Sequence, residues 1–178
     1  MATPESRCCT VTTWFGTRGP DLKTGSRGDD FLVGRGGDDT LRGQGGDDVL
    51  NGQKGADRLS GGAGNDRIYA SGGDRVWGGA DADVFVFLDR DKLPQITDPG
   101  TGQVMDFDAI GRGHDVLDLS HFAIHWEDRD AGLDDGFEML QRHEDVVIRL
   151  KGAEGTITRI VLHDVVLADI DKADILFG

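Results

Sequence analysis

The chain has 178 residues, 28 of them glycine, with 33 acidic against 19 basic side chains and a formal net charge of −14. Such a charge argues against nucleic acid and against anionic membrane surfaces, because both need clustered Lys and Arg. The glycines show no three-residue period, which excludes collagen, and no apolar run of about 18 residues is present to span a membrane.

Residues 1–15 form a lead segment. It has no basic stretch followed by an apolar one, so no Sec-type signal peptide is expected and export would need another route. Cys8 and Cys9 are neighbours in sequence. Adjacent cysteines rarely bridge each other, so no disulfide framework is expected and the pair is read as incidental.

Residues 16–88 repeat with a period of nine. GSRGDDFLV begins at Gly25, GRGGDDTLR at Gly34, GQGGDDVLN at Gly43, GQKGADRLS at Gly52 and GGAGNDRIY at Gly61. A unit one residue short, ASGGDRVW, begins at Ala70, and GGADADVFV begins at Gly78. A degenerate unit, GTRGPDLKT, leads the array from Gly16. Glycine holds the first position and mostly the fourth, aspartate the sixth, and an apolar residue the eighth: Leu32, Leu41, Leu50, Leu59, Ile68, Val76 and Phe85.

The period has a physical reading. Six residues make a turn in which glycine permits positive φ and close backbone approach. Three residues make a short strand whose middle side chain points inward. Such a strand cannot stand alone. Stacking yields two parallel sheets, with two repeats per coil and repeat n lying over repeat n+2. The sixth-position pairs are then Asp30 with Asp48, Asp39 with Asp57, Asp48 with Asp66, Asp57 with Asp74, and Asp66 with Asp83. At a spacing of about 4.8 Å two carboxylates repel by roughly 3–4 kcal/mol at an effective dielectric near 20. One apolar side chain per repeat offsets only about 1.5–3 kcal/mol before ordering entropy is counted.

A cation is therefore expected between stacked turns. The half-spacing of about 2.4 Å suits Ca²⁺ and is too long for Mg²⁺, and Ca²⁺ accepts six to eight oxygens from carboxylates and turn carbonyls. Zinc is disfavoured because the array offers no His or Cys. The candidate ligands are Asp30, Asp39, Asp48, Asp57, Asp66, Asp74 and Asp83, together with the fourth-position glycines Gly28, Gly37, Gly46, Gly55 and Gly64. The expected load is roughly four to six calcium ions.

Residues 89–178 read as a mainly β cap. Strand character is predicted over 84–88, 103–107, 116–119, 146–150 and 157–162. A surface loop is predicted over 89–102, and a short helix over 127–142 from the spacing of Leu133, Phe137 and Leu140. Asp106, Asp108, Asp115 and Asp118 form a carboxylate cluster in sequence. Trp14, Trp77 and Trp126 are expected in core or cap packing, with sugar stacking the minor alternative. The five histidines show no H-E-x-x-H, Ser60 and Ser120 lack a G-x-S-x-G setting, and the glycine turns lack the Lys-Ser/Thr of a phosphate loop. No enzyme is expected.

The repeat units resemble the RTX family, the hemolysin-type calcium-binding repeat proteins. QVMDFDAIGRGHDVLDLS over 103–120 is similar to the segment following the roll in that family, and the tail from 157, ITRIVLHDVVLADIDKADILFG, to its closing strands. The whole is similar to the C-terminal domain of serralysin-type proteases and to the R-modules of mannuronan epimerases. The resemblance implies an all-β fold, a calcium-stabilised parallel β-roll followed by an antiparallel β cap. It implies that Asp106 and Asp115 hold further calcium at the end of the roll. It also implies an extracellular protein exported by a type I secretion apparatus that reads an uncleaved C-terminal signal, with extracellular polysaccharide as an alternative partner. Three departures stand out: position two is Ser, Arg, Gln and Gln in the first four full units, Ala56 replaces an acidic or amide residue, and the sixth unit is short.

Overall fold

The computed structural model describes residues 10–71, 73–87, 101–107, 114–120, 137–151 and 157–177. The fold is a parallel β-solenoid with an antiparallel sheet at its C-terminal end. Strands β1 (Thr13–Phe15), β3 (Phe31–Gly36), β5 (Val49–Lys54), β7 (Arg67–Ala70), β9 (Val84–Phe87), β11 (Val116–Asp118) and β15 (Ile175–Leu176) form one sheet in that order. Strands β2 (Leu22–Thr24), β4 (Thr40–Gly45), β6 (Arg58–Ala63), β8 (Arg75–Ala80) and β10 (Thr101–Val104) form the other, which continues through β14 (Ile157–Leu162), β13 (Asp145–Lys151) and β12 (Phe137–Arg142).

Odd units build one sheet and even units the other, so repeat n pairs in parallel with repeat n+2. Leu32 lies beside Leu50, Leu50 beside Ile68, and Ile68 beside Phe85; Leu41 lies beside Leu59, and Leu59 beside Val76. All seven are completely buried. Full burial of such side chains contributes about 1.5–3 kcal/mol each. Trp14 stands above Leu32 at the open N-terminal end and packs on the core half-buried, whereas Lys23 occupies the inward position beside Leu41. Strands β3–β6 run six residues rather than the expected three, because the ladder resumes in the following turn, with Arg35 paired to Gln53 and Gln44 to Gly62.

The missing residue of the sixth unit leaves the register intact. Arg58 still pairs with Arg75 and Arg67 with Val84. The loss is absorbed in the turn, where Ser71 N–H reaches the Asp74 carboxylate three residues on instead of four.

Residues 137–142 are a strand, not the C-terminal part of a helix. Phe137 and Met139 are buried while Glu138 and Leu140 are half-exposed, a period of two, and β12 pairs antiparallel with β13 through Arg142 and Asp145. Phe137 and Leu140 are three apart, but a ladder partner just across a two-residue turn outweighs that spacing. The remainder of the predicted helix, 127–136, lies outside the described residues. So does 89–100 of the predicted loop, while Thr101 and Gly102 open strand β10.

Candidate metal centre

Each turn precedes a strand, and its aspartate is set just before the first strand residue by the ladder itself. The N–H of the seventh-position residue donates to the carbonyl of the aspartate one coil back, as from Val49 to Asp30, Arg58 to Asp39 and Arg67 to Asp48, each at 2.8 Å. The carboxylates are thereby brought into two columns, one on each edge of the solenoid.

In each column one carboxylate oxygen already serves the backbone. Oδ1 of Asp48 accepts the N–H of Asp30 at 2.7 Å, and Oδ1 of Asp57 that of Asp39 at 2.8 Å. Asp66 serves Asp48, and Asp74 serves Asp57, both at 2.8 Å; Asp83 serves Asp66 at 2.9 Å. Asp115 continues the column, accepting from Asp83 at 3.0 Å. Asp106 accepts the N–H of Gly78 at 2.9 Å, and its charge adds, after burial and the charges of Asp115 and Asp66, to the rise in the Asp83 pKa. Asp118 lies apart, ion-paired to Arg67 at 2.9 Å, and Asp108 is outside the described residues.

The second oxygen is different. Oδ2 of Asp39, Asp48, Asp57, Asp66 and Asp83 is buried without a hydrogen-bond partner. A buried, unpartnered carboxylate oxygen is costly unless a cation or proton meets it. Burial is the main reason these groups resist ionisation, with neighbouring aspartates adding to it. Asp48 and Asp57 are pushed up to about 6, and Asp66, Asp74 and Asp83 to about 7. Burial likewise raises Asp39 and Asp106 above the ordinary carboxylate range.

The first-position glycines, absent from the sequence-derived ligand set, shape the same space. A Cβ on Gly34, Gly43, Gly52, Gly61 or Gly78 would overlap Oδ2 of Asp39, Asp48, Asp57, Asp66 or Asp83 respectively. Their recurrence at position one, broken only by Ala70, was the signal in the sequence. Gly37, Gly46, Gly55 and Gly64 are left-handed, with φ of 99°, 95°, 131° and 117°, while Gly28 is buried in a turn without left-handed residues.

The donor set fits a hard cation. It is oxygen only, and among the described residues no three His, Cys, Asp or Glu side chains converge. Carbonyls must therefore complete any shell, as calcium permits and zinc does not. Bound calcium would supply the positive charge that the five orphaned oxygens lack.

Four overlapping copies of the RTX calcium-binding nonapeptide repeat match residues 15–50, 24–59, 42–74 and 71–87. Residues 15–87 are an RTX repeat array. The fold around that RTX array is similar to two solved structures. The AlgE6R3 subunit of the Azotobacter vinelandii mannuronan C5-epimerase aligns at a TM-score of 0.50 and 25% identity, covering 92% of this chain and 81% of that one. The AlgE6R2 subunit of the same enzyme aligns at 0.51 and 24% identity, covering 98% of this chain and 96% of that one. No curated protein sequence matches.

Outside the RTX turns, His163 contacts Asp145 at 3.2 Å and His114 lies 3.7 Å from Asp174. Trp77 is not in the core: it lies on the outer face of β8 and, with Arg42, Arg58 and Ser60, lines a groove of about 320 Å³. Trp126 and the two cysteines are outside the described residues.

Proposed function

We propose that this chain is a secreted, non-catalytic calcium-binding protein whose RTX array folds when it meets calcium outside the cell. The observation that carries this is the set of five buried, unpartnered carboxylate oxygens stacked in two columns. In low calcium those charges oppose closure of the coil. In high calcium each ion that binds only the folded state stabilises it by RT ln(1 + [L]/Kd), about 2.7 kcal/mol at a hundredfold excess over Kd. An unfolded chain in the cytosol suits export by a type I apparatus reading the C-terminal tail. In this scheme residues 16–88 are the roll and 89–178 the cap that carries the export signal, with Asp106 and Asp115 as further ligands where the two meet. No helix among the described residues is long and apolar enough to cross a membrane. The test is circular dichroism of the purified chain during chelator titration. The β signal should collapse on calcium removal and return on readdition; a signal indifferent to calcium overturns the folding switch.

A second reading, binding of an acidic polysaccharide, draws on two observations. The similar structures are subunits of a mannuronan C5-epimerase. In addition, Thr40, Arg42, Arg58, Ser60, Arg75 and Trp77 occupy the outward positions of β4, β6 and β8 in adjacent register, with no carboxylate among them. In a chain of net charge −14 that face is locally basic. Guanidinium groups match carboxylates in geometry, and an indole face stacks on sugar rings. Calorimetry with mannuronan should show binding that Arg58→Ala and Trp77→Ala each weaken at least fivefold. Equal affinity of both variants and wild type would discard this role.

A further inference from the structure

The turns of the array fall into two groups that differ at position two. In the turns before Asp39, Asp48, Asp57, Asp66 and Asp83 that position is Arg35, Gln44, Gln53, Gly62 or Gly79, and every one is left-handed, with φ from 71° to 129°. Position four of the same turns, Gly37, Gly46, Gly55, Gly64 and Asp81, is left-handed too. These are the turns whose carboxylates bury an unpartnered Oδ2.

In the three other turns position two is Thr17, Ser26 or Ser71, without positive φ. There the carboxylate is engaged from within its own turn. Thr17 N–H donates to Oδ2 of Asp21 at 2.6 Å, and the Thr17 hydroxyl lies 3.0 Å from the same oxygen. Ser26 N–H donates to Oδ2 of Asp30, and its hydroxyl lies 3.0 Å from Oδ1. Ser71 N–H donates to Oδ2 of Asp74 at 2.6 Å, with its hydroxyl 3.2 Å away. The Thr17 and Ser26 oxygens also accept N–H groups from Gly19 and Gly28, at 3.2 and 3.1 Å. This is the local competition by which a hydroxyl side chain bends the backbone into its own turn.

Resting on the calcium reading above, we infer that Thr17, Ser26 and Ser71 close their turns without an ion, and that calcium is confined to the five turns led by Arg35, Gln44, Gln53, Gly62 and Gly79. The placement has a reason. The Asp21 and Asp30 turns open the two columns of the array, and the Asp74 turn is the one shortened by a residue. A cation at an end turn lacks the oxygens of a missing neighbour, whereas a hydroxyl and an amide need none. Among the repeat residues, Asp30, Asp74 and Gly28 thereby leave the ligand set, while Asp39, Asp48, Asp57, Asp66 and Asp83 remain in it.

The experiment is calcium stoichiometry of the full chain by equilibrium dialysis. Asp30→Asn and Asp74→Asn should bind the wild-type number of ions, whereas Asp48→Asn and Asp66→Asn should each bind at least one fewer. Gln44→Ser, which keeps Asp48, should also bind one fewer. A lost ion in Asp30→Asn or Asp74→Asn, or an unchanged count in Asp48→Asn, overturns the assignment. If Gln44→Ser does not fold in calcium, the four asparagine variants still decide. A wild-type chain that binds no calcium defeats the function proposed above, an outcome distinct from a wrong division of the turns.

Discussion

Gly43 shows how one carboxylate dictates its neighbours. Its φ is not positive, so glycine is required there for space: a Cβ would overlap Oδ2 of Asp48 and the carbonyl of Gly61. Gly43→Ala should weaken calcium binding about tenfold or more, equivalent to about 1.4 kcal/mol, as read by calcium titration. Titration of the aspartates gives a second expectation. Burial holds Asp48 and Asp57 near 6 and Asp66, Asp74 and Asp83 near 7 in the folded chain, above their unfolded values near 3.8. The folded state then holds more protons than the unfolded one between about pH 4 and 7, so its stability falls as pH rises through that window. The calcium-free chain should gain β signal on acidification from pH 8 to 4.5, and calcium affinity should fall over the same range. Calcium-free spectra that do not change with pH would contradict the burial of these groups. In the core, Leu50 is fully buried between Leu32 and Ile68. Leu50→Ala should cost the calcium-loaded chain about 2–5 kcal/mol in denaturant unfolding.

At the scale of the element, the nonapeptide works because turn and strand assign opposite duties to the chain. The strand buries one side chain and the turn gathers oxygens. The turn depends on backbone that ordinary residues resist: Gly55 sits at φ 131° with its Cβ position against the backbone of Gly37. Gly55→Ala should therefore destabilise the loaded roll by about 1–3 kcal/mol, measured as a lowered unfolding midpoint. Arg35 and Gln44 accept the same left-handed geometry while their side chains bond the carbonyls of Gly16 and Gly25, at 3.2 and 2.6 Å. The repeats made strands and turns readable, because a period of nine with fixed roles has few physical solutions. Strand β12 was not readable. Its sequence carries both a helical spacing, Phe137 to Leu140, and an alternation, Phe137 to Met139, and only pairing with β13 chose between them.

For the whole molecule, the proposed function predicts a fold whose stability is set by calcium concentration. The unfolding midpoint should rise steadily with free calcium, and magnesium at the same concentration should not substitute, because its shorter bonds do not fit oxygens spaced for calcium. Thermal scans across a calcium series check this; a midpoint independent of calcium would mean that packing alone closes the coil. The cap extends both sheets instead of forming a separate layer: β10 joins β8 to β14, and β11 joins β9 to β15. Asp83 consequently meets both Asp66 of the array and Asp115 of the cap.

The sequence alone determined the repeat, the residue buried in each strand and the acidic composition of the turns, because these are local properties copied unit by unit. The tertiary structure decided which carboxylate oxygens are left without a partner, since that depends on the backbone of the neighbouring coil and on the hand of position two. It also decided how the shortened unit keeps register and where the cap attaches, because pairing between distant strands has no signature in the spacing of either one.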